Sequence, residues 1–117
     1  MSGFAGKRIL VVDDEPLIAM MLEDILDDLG CAVVGPALGA DEAEALAREA
    51  AIDAAILDLN LGDRTSHSIA ALLRERGIPF VVASGDGEAA AVPGADGALN
   101  KPFWPATVEA ALTRLIA

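Results

Sequence analysis

Three carboxylates stand directly after two apolar segments of the chain. Asp13 and Asp14 follow Ile9–Val12, and Asp58 follows Ala54–Leu57. If the two segments end at the same place, the carboxylates repel one another, so they should hold either protons or a cation. A cluster of hard oxygen ligands with room for water suits Mg²⁺, or Mn²⁺ in its place. The spacing therefore predicts a divalent-cation site.

Two further polar side chains end apolar segments and complete a set suited to phosphoryl transfer. Ser84 follows Phe80–Ala83, and Lys101 comes shortly after Gly97–Leu99. A cation, a lysine and a hydroxyl around a carboxylate would neutralise the equatorial oxygens of a phosphoryl group while Asp58 attacks in line. A simple Ser-Gly turn is the alternative explanation of Ser84.

The single histidine and the single cysteine do not fit this chemistry. His67 and Cys31 together are too few to build a zinc site. We interpret His67 as a surface residue near the start of a helix, and Cys31 as a small buried residue beside a strand. One cysteine also excludes an internal disulfide and fits a reducing compartment.

Five short apolar segments alternate with helical patterns, as expected of an α/β fold with a buried parallel sheet. The predicted strands are Ile9–Val12, Ala32–Val34, Ala54–Leu57, Phe80–Ala83 and Gly97–Leu99. We expect the second strand to end at Gly35-Pro36. In an open parallel sheet, ligands bind beyond the carboxyl ends of the strands where the strand order reverses, so the polar residues should converge there.

Helical periodicity and end signals place the helices between these strands. Asp41, with Glu44 three residues later, reads as the capping box of a helix that runs to Ala50. A polar loop, Asn60–Ser66, precedes the next helix. The segment Asp86–Gly97 is interrupted by Pro-Gly and predicts only a short or irregular fourth helix. The remaining predicted helices start at Pro16, after Ser66 and at about Pro105, and end near Gly30, Arg76 and Ile116.

Composition limits the partners and the location. The formal net charge of −11 argues against direct binding to a nucleic acid. With 54% hydrophobic residues in 117, the chain should form one packed domain. Its apolar segments are far too short to span a membrane, and the first residues lack a secretion signal. We expect a cytoplasmic protein without membrane attachment.

Four motifs in this order resemble the receiver domain of bacterial response regulators. They are VVDDEP, ILDLN, VVASG and LNKPF, and the similarity runs from Lys7 to Ala117. The resemblance implies a flavodoxin-like, doubly wound five-stranded parallel sheet with helices on both faces. It also implies that residues 1–117 form one receiver domain with no output domain.

The resemblance implies a role for each matching residue. Asp58 would be the phosphoacceptor, with Lys101 and Ser84 assisting. Asp13, Asp14 and the backbone carbonyl of Asn60 would hold the metal with Asp58. Leu17, Ile18 and Met21, on the first helix, would dock a phosphodonor domain. Trp104 either covers the end of the core or anchors a partner.

The implied function is that of a single-domain response regulator in a two-component system. A histidine kinase or a histidine phosphotransfer protein would supply the phosphoryl group, and the signal would pass by protein contact or by a phosphate relay or sink. No turnover of a small-molecule substrate is expected. A downstream protein partner is possible.

A departure from the receiver pattern at Ala98 motivates the first of two rival hypotheses. Ala98 stands where receivers usually carry an aromatic residue that responds to phosphorylation. A pseudo-receiver that signals by docking alone is therefore the first rival. A small phosphohydrolase is the second, and it would need an acid–base carboxylate where this chain has Asn60.

Overall fold

The fold is described from a computed structural model that covers residues 4–62, 64–84, 95–100 and 103–116, apart from the side chains of Arg64, Ser84 and Asn100. Strands and helices alternate along these ranges. In chain order they are β1 (Arg8–Val12), α1 (Pro16–Asp28), β2 (Ala32–Ala37), α2 (Ala40–Glu49), β3 (Ala54–Asp58), β4 (Asn60–Leu61), β5 (Arg64–Thr65), α3 (His67–Glu75), β6 (Phe80–Ser84), β7 (Ala98–Asn100) and α4 (Pro105–Ile116).

Five strands form a parallel sheet in the order β2–β1–β3–β6–β7. This arrangement confirms the predicted flavodoxin-like sheet. The strand order reverses between β1 and β3, so a crevice forms beyond their carboxyl ends, where such folds bind ligands. The register pairs Val12 with Leu57, and Asp58 with Ala83. The ends of β1, β3 and β6 therefore lie at one edge of the sheet.

Helices cover both faces of the sheet because the strands are apolar on both sides. On β3, Ala55 and Leu57 belong to one core cluster, and Ala54 and Ile56 belong to the other. Buried residues of α2 and α3 join the first cluster, and those of α1 and α4 join the second. This alternation follows the two-residue period of a strand. Alternate side chains of β3 therefore pack against the helices on opposite faces of the sheet.

The prediction that β2 ends at Gly35-Pro36 was wrong. The strand continues to Ala37, and its pairing with β1 shifts between Leu10 and Val12, which leaves one extra residue on β2. Such a bulge, on an edge strand, tolerates a proline that lacks the N–H group needed in the middle of a sheet.

The predicted capping box at the start of α2 was also wrong. The helix begins at Ala40, its N-cap is Gly39, and no side chain caps it. The N-cap thus lies two residues before the predicted Asp41, and the first helical residue, Ala40, is buried. The carboxylate of Glu42 instead accepts a hydrogen bond from the Leu38 N–H at 3.4 Å.

The predicted polar loop after Asp58 contains an antiparallel β-hairpin. β4 pairs with β5, with Asn60 opposite Thr65 and Leu61 opposite Arg64. Gly62 follows β4 with φ +72°, a backbone conformation that glycine adopts without strain. α3 starts at His67, directly after the hairpin and Ser66.

Two remaining expectations concern the helices. Residues 85–94, where a short or irregular fourth helix was predicted, lie outside the described residues. Within the described ranges, none of the helices has the length and apolar character needed to cross a lipid bilayer.

Candidate functional site

Asp13 begins the site at the end of β1. Its N–H donates to the Ala37 carbonyl at 3.1 Å, so the end of β2 fixes the backbone at this point. One carboxylate oxygen, Oδ1, accepts the Glu15 N–H at 2.9 Å and holds the turn before α1. The side chain is only 1% exposed. Asp13 is thus a buried carboxylate in a fixed orientation.

Asp58 is the last residue of β3, next to β1 in the sheet. It pairs with Ala83 of β6 and is 7% exposed. The following residue, Leu59, donates its N–H to the Ala83 carbonyl at 3.0 Å, so the backbone on the far side of Asp58 is also held. Pairing with β6 at Asp58, and with β1 at the preceding Leu57, therefore fixes the backbone that carries this carboxylate.

The two buried carboxylates meet Asp14, which is the most open of the three to solvent. One oxygen from each side chain lies within 4.8 Å of the others. Three negative charges at this separation repel, and a shared cation removes that repulsion. Oxygen donors beside open solvent suit a hard ion that keeps some of its water. The arrangement confirms that the three predicted residues come together and could bind a metal.

Asn60 lies two residues beyond Asp58, on the exposed strand of the hairpin. The Ser66 N–H donates to the Leu59 carbonyl at 3.0 Å, so this backbone hydrogen bond lies one residue outside the pair formed by Asn60 and Thr65. Antiparallel pairs alternate, so Asn60 and Thr65 form a non-hydrogen-bonded pair. The Asn60 backbone carbonyl therefore points away from β5.

Of the two predicted assisting residues, Ser84 is described through its backbone alone. Ser84 ends β6 and pairs with Asn100 of β7, one position beyond the pair formed by Asp58 and Ala83. Lys101 follows Asn100 in the sequence and lies outside the described residues, as does the Ser84 hydroxyl. The roles predicted for these two side chains remain predictions.

Comparison with known proteins decides the family. The family profile described as "Response regulator receiver domain" matches residues 9–113. The chain belongs to the response regulator receiver family. Receiver domains act in two-component signalling, and phosphorylation and Mg²⁺ are typical of them. The predicted family is thereby confirmed.

Individual relatives agree with this assignment. The chain is 31% identical to the chemotaxis protein CheY of Thermotoga maritima over 94% of its own length and 98% of that protein. It is 33% identical to the phyllosphere-induced regulator PhyR of Methylorubrum extorquens, of which it spans 44%.

A solved structure shares the fold. The receiver domain of the sensor histidine kinase PA1611 from Pseudomonas aeruginosa superposes with a TM-score of 0.84 at 27% identity, covering 96% of this chain and 98% of that one. That domain carries a magnesium ion coordinated in its active-site cleft.

The residues predicted to dock a partner differ in exposure. On α1, Leu17 is 75% exposed and Met21 44%, and Ile18 is half-buried. Ile18 also packs against the core beside the buried Leu22 and Leu26, whereas Leu17 and Met21 lie on the outer side of the helix. Trp104 is 62% exposed, which excludes the alternative that it covers the core.

Two groups with shifted pKa values, Asp53 and Cys31, lie outside the carboxylate cluster. The Arg8 backbone N–H donates to Asp53 Oδ2 at 2.8 Å and lowers the pKa of that carboxyl, and the Arg8 guanidinium adds to the effect. Burial raises the pKa of the Cys31 thiol, and the charge of Asp27 raises it further. Cys31 is buried, as predicted.

The hairpin was missed at the sequence level, together with the contact between Thr65 and His67. His67 Nδ1 lies 2.8 Å from Thr65 Oγ1. The available signal was the dipeptide Gly62-Asp63 between two short segments, a pattern typical of a two-residue hairpin turn. His67 itself is exposed and begins α3, as the sequence predicted.

Proposed function

We propose that this receiver accepts a phosphoryl group on Asp58 from the phosphohistidine of a histidine kinase or a histidine phosphotransfer protein. The observation that carries the proposal is the convergence of Asp13, Asp14 and Asp58 at the point of strand reversal. Receiver-family membership gives this cluster its chemical context.

The reaction moves the phosphoryl group from nitrogen to oxygen. A carboxylate oxygen of Asp58 attacks phosphorus, the P–N bond breaks with its electron pair staying on the donor imidazole, and an acyl phosphate forms. Buried and held by β1 and β6, Asp58 is presented in one orientation, which favours in-line attack. Lys101 would pair with a phosphoryl oxygen, and the Ser84 hydroxyl would donate to another.

Asp13, Asp14, Asp58 and the Asn60 carbonyl would hold the divalent cation, Mg²⁺ or Mn²⁺. The donor set fits, since the three carboxylates are close enough to share one ion and the Asn60 carbonyl points away from the hairpin. When bound, the ion supplies positive charge to the phosphoryl oxygens in the transition state. Asp13, through its bond from Glu15, keeps the acidic turn in place.

The phosphodonor would dock on the exposed apolar surface of α1. Leu17 and Met21 are exposed on the helix that follows Asp13 and Asp14 in the chain, with the half-buried Ile18 next to Leu17, and Trp104 is exposed ahead of α4. Exposed leucine, methionine and tryptophan side chains gain free energy when a partner removes them from water. Acidic residues of α1 flank them, so a partner with a basic rim fits best.

We further propose a cytoplasmic, single-domain regulator that turns over no small-molecule substrate. It would pass its signal by contact with a downstream protein or by phosphate relay. Its net charge of −11 supports protein partners over nucleic acid.

Phosphotransfer from a purified cognate kinase tests this function. With Mg²⁺ present, the wild-type protein should acquire one acid-stable, base-labile phosphoryl group per chain, and an Asp58→Asn variant should acquire none. Chelation of the metal should abolish labelling of the wild type. Equal labelling of Asp58→Asn would remove Asp58 from its assigned role.

The pseudo-receiver is the second candidate, favoured by one observation. Ala98 lies exposed on β7 in place of the aromatic residue usual in receivers. A methyl group has no rotation with which to report the phosphorylation state. A protein that binds neither Mg²⁺ nor a beryllofluoride mimic of the phosphoryl group would favour this candidate.

A further inference from the structure

The hairpin β4–β5 is fixed at its base to the strand that carries Asp58. The Leu59 carbonyl accepts the Ser66 N–H at 3.0 Å, and the Leu59 N–H donates to Ala83 of β6 at 3.0 Å. Leu61 is 5% exposed and packs in the core on the α2–α3 side. The hairpin therefore starts two residues after Asp58, and its first strand is anchored in the core by Leu61.

Within this hairpin, Thr65 is the residue that faces Asn60. The two form a non-hydrogen-bonded antiparallel pair, in which opposed side chains approach most closely. Both are exposed, on the face opposite to Leu61. The flanking Ser66–Leu59 hydrogen bond holds the two strands together, and the opposed side chains of Asn60 and Thr65 lie across them. The position of Thr65 therefore bears on that of the Asn60 backbone.

Thr65 is held in turn by the first residue of α3. Its Oγ1 shares a hydrogen bond of 2.8 Å with His67 Nδ1. His67 belongs to a helix whose buried residues Ile69, Ala70 and Leu73 fix it against the sheet. The contact thus connects β5 to a rigid helix, beyond the connection made by the backbone at Ser66.

We propose that Thr65 and His67 are positioning residues that orient the Asn60 carbonyl toward the divalent cation. This inference rests on the proposed function, since it assumes that the cation binds at the carboxylate cluster. Neither side chain contacts the reacting atoms. Their effect is on the affinity for the ion.

Calorimetric titration of the phosphate-free protein with Mg²⁺ tests the proposal. Replacing Thr65 by Val keeps the shape and the strand preference but removes the hydroxyl. We expect the Kd for Mg²⁺ to rise by at most about tenfold, the limit set by one net hydrogen bond, with a small fall in the metal-free unfolding temperature because the same bond is present without the ion. Thr65→Ser should keep the wild-type affinity.

Ser68, the residue after His67 on α3, offers a matched control. Ser68 is exposed and its hydroxyl donates to Glu44 at 3.1 Å, away from the hairpin. Ser68→Ala should leave the Kd at its wild-type value. His67→Ala should weaken binding as Thr65→Val does, and the double variant should add little, because both remove the same bond.

The only histidine of the chain offers a second readout. In untagged protein, the His67 Cε1–H signal in the proton NMR spectrum should shift during Mg²⁺ titration and saturate with the calorimetric Kd. In Thr65→Val this shift should shrink or vanish.

Two results would overturn the inference while leaving the proposed function intact. One is a Thr65→Val protein with the wild-type Kd. The other is an equal loss of affinity in Ser68→Ala, which would indicate a general structural effect. A wild-type protein that binds no Mg²⁺ would overturn the proposed metal site, and the inference with it.

Discussion

The carboxylate cluster has opposite consequences for the metal-free and metal-bound protein. Three acidic side chains with oxygens within 4.8 Å of one another destabilise the fold when no cation neutralises them. The same proximity favours cation binding, and an ion that binds only the folded state stabilises it. Stability and function therefore make opposite demands on the same three residues.

Replacing Asp14 by Asn tests this trade-off at the residue scale. The metal-free variant should be more stable than the wild type by about 1 kcal/mol, because one repulsive charge is gone. The rise in unfolding temperature that Mg²⁺ gives the wild type should be largely lost. Thermal unfolding with and without Mg²⁺ measures both effects.

Asp24→Asn is the matched control, since Asp24 is an exposed carboxylate on α1. It should leave the Mg²⁺-induced rise in unfolding temperature unchanged. A less stable metal-free Asp14→Asn protein would show that repulsion is not the main effect of this carboxylate.

At the element scale, a polar contact joins the starts of β1 and β3, at the edge opposite the cluster. Asp53 accepts hydrogen bonds from the Arg8 backbone N–H at 2.8 Å and from its Nε at 3.4 Å. These bonds lower the pKa of Asp53 in the folded protein. The stabilisation is therefore present above the ordinary carboxyl pKa of about 4, and it is lost as pH falls through the folded-state pKa.

Asp53→Asn should reduce the free energy of unfolding at pH 7 by less than about 1 kcal/mol, because the pair is partly exposed. At a pH below the folded-state pKa, the difference between variant and wild type should disappear. Urea unfolding from pH 7 down to the acid limit measures this convergence. Glu49→Gln, at an exposed position of α2, should show no such convergence. A constant difference at every pH would assign the effect to lost packing.

The elements differ in how far the sequence predicts them. The apolar segments that end at Val12 and Leu57 are continuous and short, as buried parallel strands are. The strands before Asp13 and Asp58 were therefore predicted to within one residue. β4 and β5 have two residues each, too few to show a two-residue period. β2 continues through Pro36 because a bulged edge strand does not need a backbone N–H at that position. That β2 lies at the edge follows from the strand order, which the local sequence does not reveal.

Whole-molecule topology explains why the site was easier to predict than the hairpin. Asp58 is far from Asp13 and Asp14 in sequence, but parallel strands bring their carboxyl ends to one edge whenever the sheet forms. The pairing of Asn60 with Thr65 depends instead on the register of a short turn. Strand polarity follows from fold class, whereas local register depends on individual backbone angles.

Charge and apolar exposure together define how the whole molecule should meet its phosphodonor. The net charge of −11 favours a partner with a basic contact surface, so phosphotransfer should slow as salt screens the attraction. Leu17, 75% exposed on α1, contributes little to folding and is free to be buried by a partner. The acidic charge would set the encounter rate, and the apolar side chains would set how long the complex lasts.

Replacing Leu17 by Ser separates docking from chemistry. Phosphotransfer from the kinase should fall by roughly tenfold, the loss expected when one leucine is no longer buried at an interface. Acetyl phosphate is too small to contact Leu17 while it reacts at Asp58. Phosphorylation by this donor should therefore keep its wild-type rate. Leu38→Ser removes an exposed leucine beyond β2 and should leave both rates unchanged. If Leu17→Ser slowed both donors equally, α1 would act on the carboxylate cluster itself, and the docking surface would have to lie elsewhere.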